Sequence, residues 1–380
     1  MIAFGFLYQR ETNMDKKVLI LVNHDIVIFN FRKEVVYKLL ESGFDVYLSC
    51  PKSPNIEKLI QRGVIHVETK INRHSINPFT DIKLLISYIK IMKKIRPDIV
   101  LTYTIKPNIY GGIASQILNY TFIPSITGLG NGFNKNVLFE NLSKILYKIA
   151  LKKAKVIMFQ NNENLQYMLK SRIIKNDYVL TAGSGVNLND FQLFDYPKDD
   201  VIKFIYIGRI MKSKGIELYL EAAEHYKNIF NNVEFHIIGD YDGNYENIIK
   251  DYQSRKIVTY HGKVENVKEY LHVSHAVINP SFHEGMSNVL LEGAAVGRPG
   301  IASDISGCRE IVIDNITGYT FKSKDIISLI EVIDKFIKMT FDEKVRMGLN
   351  ARRLVEEKFN RDNVVEQYMR IIEKTLEDRK

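Results

Sequence analysis

Short runs of apolar, β-branched residues alternate along this chain with longer amphipathic ones. That alternation predicts βα units wound around a parallel sheet. In the first half, strands are predicted at Val18–Val22, Phe44–Ser49, Val64–Val67, Ile99–Thr102, Ile123–Thr127, Val156–Gln160 and Tyr178–Thr181. Helices are predicted between them at Asn30–Ser42, ending at Gly43, at Pro78–Ile95, ending before Pro97, and at Asn136–Lys153. Glycine just after a helix and proline just beyond one are ordinary stop signals. A second series supplies strands at Lys203–Ile207, Glu234–Ile238, Ile257–Tyr260, Ala276–Asn279 and Gly300–Ala302. Its helices are predicted at Ile216–Phe230, Tyr245–Ser254, Val267–Val273 and Ser287–Val296, and a last helix at about Arg361–Leu376. Between the two series, residues 191–200 carry Pro197 and several acidic residues with little apolar periodicity, and read as a linker. The division is therefore an unpatterned, disordered extension at 1–15, a first lobe at 16–190, a second at 201–360 and a closing helix at 361–380. Met14 sits just ahead of the first strand, so residues 1–13 read as an upstream-start extension.

Length and composition agree with two lobes. At 380 residues the chain exceeds what one hydrophobic core carries, and 46% apolar with 26% charged residues is globular rather than fibrous or disordered. Cys50 and Cys308 stand alone, which excludes a disulfide scaffold and a zinc finger and fits a reducing cytoplasm. The longest charge-free stretch, Pro107–Asn134, is broken by glycines, Pro124 and asparagines, so it does not read as a membrane span, and no export signal opens the chain.

Charge is distributed unevenly. Residues 1–190 carry 26 Lys and Arg against 14 Asp and Glu, a balance of +12, whereas residues 191–380 carry 27 against 30, or −3. A basic lobe suits a polyanion, either nucleic acid or the anionic inner face of a membrane. It also fits a lysine-rich composition with no partner implied. No helix-turn-helix, RNP-like aromatic pattern or zinc finger supports nucleic acid. Aromatic and aliphatic residues interleave with cations in Phe79–Lys94 and Leu138–Lys155, as in helices that rest on anionic lipid; an ordinary helix with a solvated lysine face reads equally well for each alone.

Two clusters can carry chemistry. In Ser281–Glu292 a predicted strand is followed by a loop and a helix, so Gly285, Met286, Ser287 and Asn288 fall at a helix N-terminus, where backbone amides and the dipole favour phosphate. Glu284 precedes that end and Glu292 lies about a turn and a half inside. Carboxylates beside a diphosphate suit the hydroxyls of a sugar, although on spacing alone the two glutamates also read as a solvated helix face. In Ile207–Gly215, Gly208 permits a tight turn while Arg209 and Lys214 place two cations at the carboxyl end of a strand, where a diphosphate bridging two sheets would sit; a basic surface turn is the alternative. Neither a Walker loop nor a GxGxxG fingerprint is in register.

Taken together, these residues resemble a known family. Gly208-Arg209 followed by Lys214-Gly215, then Glu284-Gly285 with Glu292, then Gly297–Glu310 and Asn315–Gly318 resemble the C-terminal lobe of the retaining glycosyltransferases of family 4, over about residues 200–320. The resemblance implies the α/β GT-B fold: two Rossmann-like, doubly wound lobes facing across a cleft, with the C-terminal helix crossing back to the first. It implies that Arg209 and Lys214 bind the donor diphosphate, that Glu284 contacts donor-sugar hydroxyls, that the Gly285–Asn288 amides bind phosphate and that Glu292 binds the ribose. Glu284, Arg209 and Lys214 would be catalytic, with anomeric configuration retained and no metal or other cofactor, the cations replacing it.

In the first lobe, Asn23–Arg32, Thr104–Gly112 and Thr127–Gly130 resemble bacterial transferases that build capsule, O-antigen or N-glycan precursors on undecaprenyl diphosphate. This implies a UDP-sugar donor, often an N-acetylhexosamine, an undecaprenyl-diphosphate-linked acceptor held by the first lobe, and a cytoplasmic enzyme resting on the inner face of the cell membrane, with no nucleic-acid partner. His24, Lys106, Thr127 and Gly128 are candidates for substrate contact. The loop after the first strand lacks the double glycine common in the family. Thr127-Gly128 stands where members often carry a histidine near the sugar, so that histidine's role does not transfer. Gly300 replaces a usual β-branched residue, which predicts a locally loosened strand. A UDP-sugar 2-epimerase of the same fold is the alternative within it.

Overall fold

The computed structural model describes residues 16–71, 77–128 and 137–378. The first lobe runs β1 (Lys17–Leu21), α1 (Asp25–Phe29), α2 (Lys33–Glu41), β2 (Asp45–Cys50), α3 (Pro54–Ile60), β3 (Ile65–Glu68), α4 (Pro78–Ile95) and β4 (Ile99–Tyr103). A π-helical turn, Pro107–Gly111, then leads into α5 (Gly112–Leu118), β5 (Thr121–Ile126), α6 (Val137–Leu151), β6 (Ile157–Phe159), α7 (Asn162–Lys170) and β7 (Tyr178–Leu180). The second lobe runs β8 (Ile202–Ile207), a 3₁₀ turn (Lys212–Lys214), α8 (Ile216–Lys227), β9 (Val233–Ile238), α9 (Glu246–Ser254), β10 (Thr259–Tyr260), α10 (Lys268–Val273) and β11 (Ala276–Asn279). It closes with α11 (Asn288–Ala295), β12 (Gly300–Ser303), β13 (Gly318–Phe321), α12 (Ile326–Lys338), α13 (Phe341–Lys358) and α14 (Arg361–Glu377).

Each lobe is a parallel sheet, ordered β3-β2-β1-β4-β5-β6-β7 in the first and β10-β9-β8-β11-β12-β13 in the second. β4, β11 and β12 are buried along their whole length, as central parallel strands covered by helices on both faces must be. The strand order reverses between β1 and β4 and again between β8 and β11. Crevices at the carboxyl ends of such neighbours are where doubly wound sheets bind ligands. These two switch points place the loops at Asn23, Thr104, Gly208 and Pro280–Gly285.

The closing helix returns to the first lobe. Val364, Val365, Tyr368, Met369, Ile372 and Leu376 of α14 share one core with Val18, Ile20, Leu48 and Leu101, and the Tyr368 ring stacks on Tyr103 with centroids 6.4 Å apart. Residues 191–200 contain no helix or strand, as expected of a linker, yet they are fastened along the second lobe. Arg298, 1% exposed, donates to the carbonyls of Phe194 and Asp195, and the Tyr196 hydroxyl donates to the His275 carbonyl.

Several expectations need correction. The helix predicted over Asn30–Ser42 is α2, which begins only at Lys33, and an unanticipated short helix, α1, precedes it, with His24 Nδ1 accepting the Ile26 amide at its start. β12 is not loosened. It pairs with β11 on one side and β13 on the other, and a Cβ on Gly300 would lie 2.6 Å from Val312 Cγ2, so glycine is what lets this strand pack. α3, α5, α7, β13, α12 and α13 had not been anticipated. The extension at 1–15 lies outside the described residues. No helix among those described is long and apolar enough to cross a membrane.

Candidate active site

A cavity of about 690 Å³ lies between the lobes, over both switch points. Lys106, Thr127, Gly128, Arg209, Lys214, Glu284 and Gly285 all line it, so most of the charged candidates converge.

Lys214 owes its position to three backbone features. The 3₁₀ turn ends at Gly215, whose φ of +71° suits glycine, and a Cβ there would lie 1.9 Å from the Pro280 carbonyl oxygen. The Phe282 amide also donates to the Ser213 carbonyl over 2.9 Å, tying the turn to the loop after β11. The result is an ion pair of 2.6 Å between Lys214 Nζ and Glu284 Oε1, with side chains only 25% and 12% exposed. Glu284 is braced from below by Gly307, where a Cβ would lie 2.8 Å from the Glu284 Cβ. Arg209 pairs at 2.6 Å with Asp242 and is more open to solvent.

The lobes touch at the same loop. Asn161 Nδ2, at the N-terminus of α7, donates over 2.6 Å to the Gly285 carbonyl. A Cβ on Gly285 would lie 1.9 Å from the Thr127 carbonyl oxygen and 3.0 Å from Gln160 Oε1. Backbone therefore meets backbone across the cleft floor.

The remaining candidates do not line the cavity. His24 Nδ1 caps α1 and lies 2.6 Å from Asp25 Oδ1. Met286 is core: it fills the space a Cβ on Gly183 would need, 2.6 Å from its Cγ. The Ser287 amide donates to the Gly307 carbonyl over 2.8 Å and its hydroxyl accepts from Asn279, so that amide is spent inside the protein. Asn288 Oδ1 accepts from the Ser184 hydroxyl. Glu292 keeps some surface, but burial around its carboxyl group pushes its pKa up to about 7, Arg361 offsetting part of the rise.

Three further features of the cavity were not named as site residues from the sequence, although Thr104 and Asp304–Arg309 lie in the Thr104–Gly112 and Gly297–Glu310 motifs. Asn161, the N-cap of α7, and Tyr167 within it reach the cavity because β6, which precedes α7, lies beside β5 in the sheet. Thr104, a β-branched residue at φ +70°, lines it with its hydroxyl buried and unpaired among the described residues. Asp304, Ser306 and Arg309 enter from the loop after β12. Thr104 is a backbone outlier of the kind that clusters at functional sites, and the π-helical turn following it has the same tendency.

A cleft lined by Lys106, Arg209, Lys214 and Arg309, with a carboxylate of fixed position and a close-packed floor, can hold a phosphorylated sugar. The comparisons with known proteins agree. The family described as "Glycosyl transferases group 1" matches residues 190–354, and "Glycosyl transferase 4-like" matches residues 17–161. An N,N'-diacetylbacillosaminyl-diphospho-undecaprenol alpha-1,3-N-acetylgalactosaminyltransferase from Campylobacter jejuni is 24% identical over 92% of this chain and 96% of its own length. A UDP-Gal:alpha-D-GlcNAc-diphosphoundecaprenol alpha-1,3-galactosyltransferase from Escherichia coli is 25% identical over 83% and 86%. Among solved structures, a glycosyltransferase from Rickettsia africae superposes with a TM-score of 0.75 at 20% identity, over 96% of this chain and 99% of that one, which shows the GT-B fold. These relatives are transferases, and the epimerase alternative gains nothing from them.

Proposed function

The chain belongs to the group 1 glycosyl transferases, with a first lobe of the family 4-like type, and from that premise we propose that it moves a hexosamine from a UDP-sugar to a saccharide carried on a lipid diphosphate, retaining anomeric configuration. The observation that carries the reading is the Lys214–Glu284 pair in the interlobe cavity, with Arg209 on the same wall. Departure of a nucleoside diphosphate builds negative charge on the β-phosphate, and cations fixed beforehand stabilise that charge where it develops. Lys214, held by Gly215 and Pro280, and Arg209, released from Asp242, supply it without a metal ion. Glu284 gives Oε1 to Lys214, and a carboxylate has a second oxygen to accept from a sugar hydroxyl. Glu292, with a pKa near 7, is protonated for part of the neutral range and then donates to as well as accepts from a ribose hydroxyl. The acceptor enters from the first lobe, past Lys106 and Thr127.

A peripheral position on the inner membrane face belongs to the same reading. Phe79, Ile82 and Ile86 of α4 and Leu142, Ile145 and Ile149 of α6 are exposed at spacings of three and four residues, and Ile117 of α5, the helix that touches both, is exposed as well. Exposed Lys83, Lys90, Lys93, Lys94 and Lys148 lie on the same two helices, with Lys152 and Lys153 just past the end of the second, the composition that binds anionic lipid.

The test is transfer from UDP-, GDP- and dTDP-sugars to a prenyl-diphosphate-linked N-acetylhexosamine with EDTA present, the product anomer being read by NMR. Transfer from a UDP-sugar in EDTA with an α-linked product is expected. Restoration only by added divalent metal would overturn metal independence, a β product would overturn retention, and no transfer from any donor would overturn the assignment.

A further inference from the structure

Two buried arginines hold one short segment of backbone. Residues 183–186 run from β7 toward the linker, and Gly183 and Gly185 both take left-handed conformations, at φ +64° and +61°. Arg32 Nη2 donates to the Gly183 carbonyl over 3.0 Å, Arg361 Nε to that of Ser184 over 3.2 Å and Arg361 Nη2 to that of Gly185 over 3.1 Å. The Val186 carbonyl accepts the Arg361 amide over 3.0 Å, so four successive carbonyls are taken. Both arginines stand on the first lobe. Arg32 precedes α2 and lies over the rings of Tyr103 and Tyr368, while Arg361 opens α14 and pairs with Glu34 at 3.0 Å. A Cβ on Gly185 would lie 2.7 Å from Arg361 Cα, so the segment lies flush against the start of that helix. Buried guanidinium groups are weak evidence for stability. Arg32 Nε and Glu34 Oε2 are themselves buried without a hydrogen-bond partner among the described residues. What the two arginines fix is the path of the backbone.

The other face of the segment meets the second lobe. Met286 Cγ occupies the space a Cβ on Gly183 would need, at 2.6 Å, and the Ser184 hydroxyl donates to Asn288 Oδ1. Asn288 is the first residue of α11, which carries Glu292, and Glu284 lies in the loop just before it. The charge of Arg361 also reaches Glu292, drawing its pKa down against burial. Residues 183–186 are therefore a spacer of set height between the first lobe and the element that bears both carboxylates of the donor site. Resting on the transferase reading above, we propose that Arg361, with Arg32, is a positioning residue for the donor: through residues 183–186 it sets where α11 and its entry loop stand, and so the seats of Glu284 and Glu292.

The test reads UDP affinity by titration calorimetry and steady-state transfer from a UDP-sugar to a prenyl-diphosphate-linked N-acetylhexosamine, on the full chain. Ser184→Ala cuts the link to α11 and leaves the arginines in place, whereas Arg361→Lys keeps the charge and loses the fork. Ser184→Ala is expected to weaken UDP binding and raise the donor KM about fivefold, the worth of one hydrogen bond, and Arg361→Lys about tenfold, with the acceptor KM at its wild-type value in both. The double variant is expected to lose no more than about tenfold, because both changes act through one segment; independent effects would multiply to about fiftyfold. A loss of about fiftyfold overturns the proposal, as does wild-type UDP affinity in Ser184→Ala or an acceptor KM that rises with the donor's. Should Arg361→Lys fail to fold, Arg32→Lys, which leaves the Arg361–Glu34 pair intact, takes its place in the cycle with the same outcomes. Failure of the transferase reading is separate, since wild type would then neither bind UDP nor transfer sugar.

Discussion

Gly285→Ala isolates the contact between the lobes from every other feature of the site. Gly285 does not occupy the left-handed region, so alanine fits its backbone; what it lacks is space. The added Cβ would stand 1.9 Å from the Thr127 carbonyl oxygen, where ordinary contact begins at 3.4 Å, so the lobes must part by about 1.5 Å at this point. Thr127 and Gln160 belong to the first lobe and Gly285 to the second. The clash therefore opposes closure of the cleft and leaves each core intact. A displacement of about 1 Å at reacting groups costs about a hundredfold, or roughly 2.7 kcal/mol of transition-state stabilisation. We expect kcat to fall by about that factor, with the melting temperature lowered by less than about 4 °C. Gly208→Ala is the comparator, because its nearest neighbour would be Tyr206 Oη at 3.7 Å, an ordinary contact, and it should keep most of its activity. Steady-state transfer kinetics and thermal unfolding of both variants decide the matter. Wild-type turnover in Gly285→Ala would mean that the two loops are not in contact in the working enzyme, and an equal loss in Gly208→Ala would remove the interlobe clash as the cause.

Lys214→Ala should lower kcat by about two to three orders of magnitude, the effect of deleting one preorganised charge donor, without unfolding the protein, whereas Glu284→Gln should preserve donor binding better than turnover; single-turnover kinetics separate the two. Asp242→Asn frees Arg209 from a partly exposed ion pair worth up to about 1 kcal/mol, so the donor KM should fall by no more than about fivefold, and a rise would show that Asp242 orients the arginine instead. Glu292 has its folded pKa raised from 4.5 to about 7, so the folded chain holds the proton more tightly than the unfolded one. Its contribution is full below about pH 4.5 and is lost as pH rises to about 7, and Glu292→Gln should flatten thermal stability across that window. Vesicle flotation should show salt-sensitive binding to anionic and not neutral lipid, weakened by Ile145→Asp with Ile149→Asp.

Much of the fold was readable in the chain. Alternating apolar runs placed most strands of both lobes, and Pro78–Ile95 and Ala276–Asn279 match to the residue, because a buried parallel strand or a proline-started helix is specified by local composition. The helices at Pro54–Ile60 and Asn162–Lys170 escaped, being short and half-exposed, with too few apolar positions to make a period. Motif order brought Arg209, Lys214 and Glu284 together on the page before the structure brought them together in space. What local sequence does not encode is which neighbours a residue will meet. His24, Ser287 and Asn288 have the chemistry of ligand contacts, yet the fold spends them on a helix cap and on loop bracing. Asn161 carries no motif, and Thr104 was not singled out within its own, yet both stand at the cleft because β4, β5 and β6 lie side by side, a consequence of strand order alone. The sequence by itself determined two α/β lobes through period, capping and turn chemistry, and resemblance of motif order grouped Arg209, Lys214 and Glu284. Only the tertiary structure decided that Gly285 faces Thr127, that Arg209 rests on Asp242 and that Arg361 holds the carbonyls of Ser184 and Gly185. Those depend on contacts between residues far apart in the chain, where steric fit and not local propensity selects the arrangement.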